Sequence, residues 1–200
     1  SRYRKRLLSL LGVQYVIVAK VGDGKEFSTI EKRFPSLYFS LAWEDGTFRI
    51  WEYKQSIPRA FIVHDYIVLT DKQLIANRLF DEQFDLRQQL ILEEYPIGFF
   101  RESECGSDSD SVAITNYEPN SVEIAVNASC SGLVFLSDNF YPGWKAYSDG
   151  TETKIYRADY SFRAVPIGKG SHTIIFRYSP ISFTIGGAIT MLSLIVTGVF

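Results

Sequence analysis

The fold is decided by an alternating stretch, VEIAVN, at residues 122–127. Val122, Ile124 and Val126 fall on one face of an extended chain, and the residues between them fall on the other. Residues 172–178, HTIIFRY, form a similar set. Alternation of this kind is typical of strands that have one face in a core and one in solvent. The two stretches therefore predict an antiparallel sheet in the second half of the chain.

Other short apolar runs surround these stretches and are mostly separated by turns. Asp149-Gly150 lies between two runs, which indicates a tight hairpin. The regular spacing of the runs predicts an antiparallel β-sandwich, immunoglobulin-like or jelly-roll-like, over residues 112–180. The runs are residues 112–116, 122–126, 132–136, 144–148, 153–156, 162–165 and 172–178.

The first half of the chain predicts an α+β lead-in subdomain over residues 1–101. Leucines at helical spacing follow a basic start, and Gly12 is a suitable helix stop. The run VQYVIVA at residues 13–19 predicts a buried strand. Asp45-Gly46 between two apolar runs predicts a hairpin, and Asp71 is a suitable N-cap. The predicted helices are residues 3–11 and 71–80, and the predicted strands are residues 13–19, 37–43, 48–53, 58–63, 66–69 and 89–93.

The composition changes at residues 102–111, ESECGSDSDS, which contain no large apolar residue. Such a segment predicts an exposed loop or a domain boundary. Its carboxylates could bind calcium, but it lacks the ordered Asp-x-Asp-x-Asp-Gly spacing with a distant Glu that a calcium loop requires. We interpret it as a solvated loop.

The last stretch, residues 181–200, reads ISFTIGGAITMLSLIVTGVF and contains no charge. A helix of about twenty residues is about 30 Å long, which is the thickness of a bilayer's hydrocarbon core. A buried core helix is the alternative, but such a helix normally has a polar face. We therefore predict a transmembrane helix, with Gly186 and Gly187 as contacts for other membrane helices. Residues 7–11 are too short for a signal peptide, so we expect a fragment whose earlier part supplies membrane targeting.

Composition and charge restrict the function classes. The chain is 46% hydrophobic and 15% aromatic, enough to build a core. Its formal net charge of −2 gives no reason to expect nucleic acid as a partner. The basic start, residues 1–6, is either a lipid-facing patch or a solvated helix end. Cys105 and Cys130 either form one disulfide in an oxidising compartment or remain two free thiols.

No catalytic or metal-binding motif is visible. The histidines, His64 and His172, have no ligand partner at helical or hairpin spacing. Gly-x-Ser-x-Gly, Gly-x-Gly-x-x-Gly and P-loop patterns do not occur in the sequence. We therefore expect neither a catalytic residue nor a cofactor in this chain.

The segment SDNFYPGWKAYSD, residues 137–149, is rich in aromatic residues around a Pro-Gly pair. Tyr141 and Trp144 could stack against sugar rings, and Arg157 and Tyr160 in the next connection could bond to sugar hydroxyls. Alternatively, the Pro-Gly pair makes a turn, Trp144 plugs the sandwich, and the other two are a surface pair.

These residues also carry a resemblance to a known family. The most specific motifs are YPGWKAY at 141–147 with Asp149-Gly150, YRA at 156–158, FRAVP at 162–166, and GSHT at 170–173 ahead of FRYSP at 176–180. Preceding them, in the family's order, are LLGVQYVI at 10–17, PRAF at 58–61 and FD at 84–85. Together they resemble the C-terminal extracytoplasmic region of YfhO-like bacterial membrane proteins.

The resemblance implies a multi-spanning protein similar to GT-C glycosyltransferases, which use lipid-linked sugars to modify envelope polymers. In that architecture the catalytic acid lies in an early extracytoplasmic loop, upstream of Ser1, so no catalytic residue maps onto this chain. The globular part is expected on the extracytoplasmic side of the bacterial cytoplasmic membrane. Residues 181–200 are expected to return to the cytoplasm as a late helix. The implied partners are the bilayer, other helices of the same protein, and envelope glycan or lipid-linked sugar.

Three functions remain open from the sequence. The first is a non-catalytic accessory domain that holds acceptor polymer or braces the membrane helices. The second is a carbohydrate-binding module centred on Tyr141, Trp144, Arg157 and Tyr160. The third is a structural or partner-binding domain without a ligand.

Overall fold

The computed structural model describes residues 2–20, 33–99, 105 and 109–198. These residues form three helices and fourteen strands, mostly at the predicted positions. The helices are α1 (Arg2–Leu10), α2 (Lys72–Leu79) and α3 (Ile181–Thr197). The strands are β1 (Tyr15–Ala19), β2 (Phe39–Glu44), β3 (Phe48–Tyr53), β4 (Ala60–Val63), β5 (Asp65–Val68), β6 (Gln89–Leu92), β7 (Ser111–Glu118), β8 (Ser121–Ala128), β9 (Gly132–Leu136), β10 (Trp144–Ser148), β11 (Thr151–Thr153), β12 (Tyr156–Ala158), β13 (Phe162–Ile167) and β14 (Gly170–Tyr178).

The chain divides into two compact units, Ser1–Arg59 and Ala60–Phe200. The first unit holds a three-stranded antiparallel sheet in the order β1-β3-β2. Phe39 and Tyr53 are buried in its core. The predicted β2–β3 hairpin is confirmed, and its turn is held by Asp45, whose carboxylate accepts hydrogen bonds from two backbone N–H groups.

Strand β1 is present, but the prediction that it is buried was wrong. Val16 and Val18 pack against the core of the first unit, whereas Tyr15 and Ile17 are 50% and 65% exposed. The reason is the period of two in a strand, which sends alternate residues of an apolar run to opposite faces. Only one face of this three-stranded sheet is covered by the core described above.

The second unit consists of two sheets that pack face to face. The five-stranded sheet has the order β11-β10-β14-β8-β7, and the six-stranded sheet has the order β4-β9-β13-β12-β6-β5. Their inward side chains meet in one core, to which Ile124 and Phe176 contribute from one sheet and Val134 and Val165 from the other. This arrangement is that of a β-sandwich.

The strand pairs within residues 112–180 are antiparallel as predicted, but the six-stranded sheet also contains one parallel pair from the first half of the chain. Strands β5 and β6 pair in parallel. Helix α2 lies between them in sequence, because a parallel pair requires a crossover connection. Asp71 caps this helix by accepting a hydrogen bond from the Leu74 N–H at 2.9 Å, which confirms the predicted N-cap.

The run predicted as one strand at residues 153–156 is divided between the two sheets. Asp149 and Gly150 have φ values of 50° and 82°, which make the predicted tight turn and return β11 alongside β10. Strand β12 instead pairs with β13 in the six-stranded sheet. Lys154 and Ile155 therefore connect one sheet to the other.

The division into units differs from the one expected at residues 102–111. In sequence, the boundary between the compact units follows Arg59. Strands β4, β5 and β6 share a sheet with strands of the second half of the chain. The reason is long-range pairing, since β4 pairs with β9 and β6 pairs with β12. Most of the predicted loop at residues 102–111 lies outside the described residues.

Helix α3 has 17 residues and ends where Gly198 takes the left-handed conformation, with φ 65°. Among the residues that the structure describes, no helix is both long and apolar enough to cross a membrane. The transmembrane helix predicted over residues 181–200 is therefore not confirmed.

Candidate functional site

The Tyr-Pro-Gly-Trp motif forms a turn that leads into β10. Gly143 has φ 99°, a conformation that disfavours any side chain. Its carbonyl accepts a hydrogen bond from the Ser179 N–H at 2.7 Å. A Cβ at this position would lie 3.1 Å from the Pro180 Cβ and 3.0 Å from the Tyr178 ring. The glycine therefore allows the turn to pack directly against the residues that precede α3.

Three aromatic side chains lie at this junction, and we call them the aromatic cluster: Tyr141, Trp144 and Tyr178. The Tyr178 ring centroid lies 5.4 Å from that of Trp144 and 6.4 Å from that of Tyr141. Trp144 and Tyr178 are also cross-strand partners in β10 and β14. Tyr141 is 61% exposed, whereas Trp144 is half-buried and packs against the sandwich core. Trp144 therefore fills the end of the sandwich with one part of its side chain, as the alternative interpretation predicted, and exposes the rest.

A buried ion pair packs against the Trp144 ring of the aromatic cluster. The Arg163 guanidinium lies 4.2 Å from the Trp144 ring centroid and 2.9 Å from the Asp138 carboxylate. Both charged side chains are nearly inaccessible, at 3% and 9% exposure. The Tyr117 hydroxyl donates to the same carboxylate at 3.3 Å. Burial strengthens these charge-assisted contacts and makes the loss of either partner costly.

Arg157 and Tyr160 belong to a second group of side chains. The Arg157 guanidinium lies 4.8 Å from the Phe140 ring and 3.7 Å from the Glu93 carboxylate. Lys72 also forms an ion pair with Glu93, and its ammonium lies 5.2 Å from the Tyr160 ring. Tyr160 is 47% exposed and has φ 79°, an uncommon conformation for a residue with a side chain.

The strained turn at Tyr160 is held from beneath by Asp159. This residue is 2% exposed and has φ 45°. Its carboxylate accepts a hydrogen bond from the Ile91 N–H, and its own N–H donates to the Ile91 carbonyl, both at 2.9 Å. These two hydrogen bonds to the backbone of β6, one from the side chain and one from the main chain of Asp159, fix the turn that carries the exposed Tyr160 ring.

The four predicted ligand residues have different nearest partners. Tyr141 and Trp144 meet around Tyr178, while Arg157 and Tyr160 meet around the Lys72–Glu93 ion pair. Lys72, Glu93 and Tyr178 were not predicted as ligand residues. Tyr178 belongs to the FRYSP motif, whereas Lys72 and Glu93 are charged residues of a kind that occurs throughout this chain.

Another polar cluster joins β4 to the start of β7. The His64 imidazole contacts the Asp110 carboxylate at 2.6 Å and the Ser131 carbonyl at 2.9 Å. Each ring nitrogen therefore faces an oxygen of a different residue. Burial acts to raise the pKa of Asp110, but hydrogen bonds from the Ser129 N–H, His64 and the Ser129 hydroxyl outweigh it and lower that pKa.

The disulfide between Cys105 and Cys130 lies beside this cluster, with a Cα–Cα distance of 5.9 Å. Cys105 Sγ is 3.9 Å from the Ser129 hydroxyl. The same end of β9 is tightly packed, since a Cβ on Gly132 would lie 3.1 Å from His64 Nδ1. Disulfide and ion pair together fasten the segment before β7 to the sandwich.

The second histidine fastens the Asp149-Gly150 turn. His172 Nδ1 lies 2.7 Å from the Asp149 carboxylate, and its Nε2 lies 3.1 Å from the Gly168 carbonyl. The hydrogen bonds from His172 and from the Thr173 N–H lower the pKa of Asp149. A groove of about 400 Å³ runs over β7, β8 and β14 beside this turn and is lined by small side chains such as Ala113 and Ala125.

No group of three or more His, Cys, Asp or Glu side chains with metal-binding geometry occurs in the described part of the chain. The histidine contacts above each involve a single carboxylate.

Comparison with protein families identifies the second half of the chain. Residues 106–190 match the family described as bacterial membrane protein YfhO. This region is YfhO-like. No curated protein and no solved structure matches the chain. The YfhO-like region contains both pairs of predicted ligand residues and runs from the sandwich into α3.

Proposed function

We propose that this chain is a non-catalytic extracytoplasmic accessory domain of a multi-spanning bacterial membrane protein similar to GT-C glycosyltransferases. The observation that carries the proposal is the YfhO match, which covers the five-stranded sheet and continues into α3 without a break. In this proposal the chemistry belongs to upstream segments, and the sandwich holds acceptor polymer or braces the membrane helices.

The surface of α3 supports membrane contact. Its large apolar side chains are exposed on all sides of the helix, which is unusual for a helix in water. Gly186 and Gly187 have no atom within 4 Å of where a Cβ would be, so this face is open to a neighbouring helix. The exposed side chains are Ile181, Phe183, Ile185, Ile189, Met191, Leu192, Leu194, Ile195 and Val196.

The disulfide between Cys105 and Cys130 supports the extracytoplasmic side. Disulfides persist in oxidising compartments and are rare in the bacterial cytoplasm, where thiols are kept reduced. A membrane-impermeant maleimide tests the side directly. It should label a Glu152→Cys variant in intact cells, because that side chain is 57% exposed. Labelling only after cell lysis would contradict the assignment.

The accessory role is tested in the full-length protein by replacing residues 60–180 with a flexible linker. We expect sugar transfer to fall or the membrane protein to become unstable in detergent. A full-length variant with the linker inserted after Gly150, a surface turn, is the matched control. Unchanged transfer together with unchanged stability in the deletion variant would refute the proposal.

Direct glycan contact is a second candidate, favoured by the exposed Tyr160 ring beside Lys72, whose partner Glu93 also contacts Arg157. An aromatic ring next to charged donors can stack on a sugar and bond to its hydroxyls. Titration of envelope oligosaccharides should quench or shift the fluorescence of the chain. Tyr160→Gly, which suits the positive φ, should abolish that response, whereas Tyr95→Ala, at another highly exposed tyrosine, should not. An equal response in both variants would exclude this contact.

A further inference from the structure

We infer that the aromatic cluster, Tyr141, Trp144 and Tyr178, lies in the headgroup region of a phospholipid bilayer. It then sets the depth at which the sandwich meets the membrane. The inference rests on the proposed membrane contact of α3, and it assigns these side chains to lipid rather than to sugar.

Chain continuity supports this placement. Two residues, Ser179 and Pro180, separate the end of β14 from the start of α3. The hydrogen bond from the Ser179 N–H to the Gly143 carbonyl joins the turn to this connection at 2.7 Å. The three chain steps from Tyr178 to Ile181 span at most about 11 Å, so Tyr178 lies within about two helical turns of the first lipid-facing residue.

The chemistry of the side chains changes in the order that a bilayer surface requires. Ile181 and Phe183, in the first turn of α3, are 75% and 82% exposed and purely apolar. Tyrosine and tryptophan, which join an apolar ring to a polar group, precede them at the junction. Such residues concentrate at the boundary between lipid tails and water. Tyr141, at 61% exposure, is the ring most open to this boundary.

The next cross-strand pair adds positive charge. Trp144 pairs with Tyr178, and one position further from α3 Lys145 pairs with Arg177. Both cations are exposed, and the charge of Lys145 is partly offset by its ion pair with Glu152 at 3.3 Å. They therefore lie about 3.4 Å beyond the aromatic pair, at the level of lipid phosphates if the aromatic pair is in the headgroup region. Anionic phospholipids attract such juxtamembrane cations.

Fluorescence quenching of Trp144 tests the inference. The full chain with Trp43→Phe and Trp51→Phe keeps Trp144 as its single tryptophan. It is reconstituted in phosphatidylglycerol–phosphatidylethanolamine vesicles whose acyl chains are brominated near the headgroup. The control has the same background with Trp144→Phe and Tyr147→Trp, which moves the probe three residues, or about 10 Å, along β10 away from α3.

We expect the lipid bromines to quench Trp144 at least about twofold more strongly than the probe at position 147, because the two positions are about 10 Å apart along the strand. Equal quenching of both probes, with the chain floating with the vesicles, would overturn the inference and leave membrane contact of α3 intact. Failure of the chain to float with vesicles would overturn both. If the core substitution Trp51→Phe prevents folding, the difference in quenching between the natural sequence and Trp144→Phe alone measures the same contribution.

Discussion

Replacement of Gly143 by alanine should destabilise the sandwich more than the same change at Gly150. Both glycines have positive φ, 99° and 82°, so alanine at either position carries a conformational cost of about 1–2 kcal/mol. At Gly143 the new Cβ would also lie 3.0–3.2 Å from Tyr178 and Pro180, whereas at Gly150 it would meet nothing within 4 Å. Overpacking of this kind typically adds about 1–3 kcal/mol.

We therefore expect the free energy of unfolding to fall by about 2–5 kcal/mol for Gly143→Ala and by about 1–2 kcal/mol for Gly150→Ala. Urea denaturation of the full chain in detergent micelles, followed by circular dichroism, measures both changes. An equal loss in the two variants would refute the reasoning, because it would show that contact with the residues preceding α3 contributes nothing.

Three further predictions concern the polar contacts. Asp138→Asn leaves the buried Arg163 without its counter-charge and should cost about 3–5 kcal/mol of unfolding free energy, whereas Glu152→Gln, which breaks the exposed pair with Lys145, should cost about 0–1 kcal/mol in the same urea titration. Replacing both Cys105 and Cys130 by alanine opens a loop of 25 residues and should lower stability by about 3.5 kcal/mol, and an unchanged urea midpoint in non-reducing buffer would contradict this. Folding lowers the pKa of Asp110, so the unfolded chain takes up a proton first as the pH falls. The contribution of Asp110 to the free energy of unfolding is therefore present above its ordinary pKa of 3.8 and is lost below it. Asp110→Asn should flatten the loss of stability on acidification, and an unaltered pH profile of stability would contradict this.

Local patterns in the sequence predict most strands and their turns. The alternation at Val122, Ile124 and Val126 places these side chains in the core as expected, because the period of two is a property of the strand itself. Asp149-Gly150 predicts its hairpin because few residues other than glycine tolerate the φ values that the turn requires. The cap at Asp71 is equally local.

Features that depend on distant pairing could not be read from the sequence. Strand β4 pairs with β9, and β5 pairs in parallel with β6. The residues within a strand do not determine which other strand it will pair with. The exposure of one face of β1 could not be predicted for the same reason, since an apolar run does not indicate whether one or both faces of the strand will be covered. The loop or boundary expected at residues 102–111 rests on composition alone and stays a prediction.

The candidate site shows the same limit. Tyr141 and Trp144 stood out because a Pro-Gly turn and aromatic residues occur together in sequence. Their partners could not be predicted, because Tyr178 contacts the first pair, and Glu93 with Lys72 contacts the second pair, from distant parts of the chain. His64 and Asp110 are 46 residues apart, so no spacing rule could have joined them.

The short connection between β14 and α3 has a mechanical consequence. Pro180 restricts the backbone, and the hydrogen bond between Ser179 and Gly143 ties the connection to the turn that begins β10. The connection is therefore too short and too constrained to act as a flexible linker if α3 tilts. Such a tilt would be transmitted as torque to β10 and β14, which are neighbours in the five-stranded sheet, and the sandwich would turn with the helix as a lever.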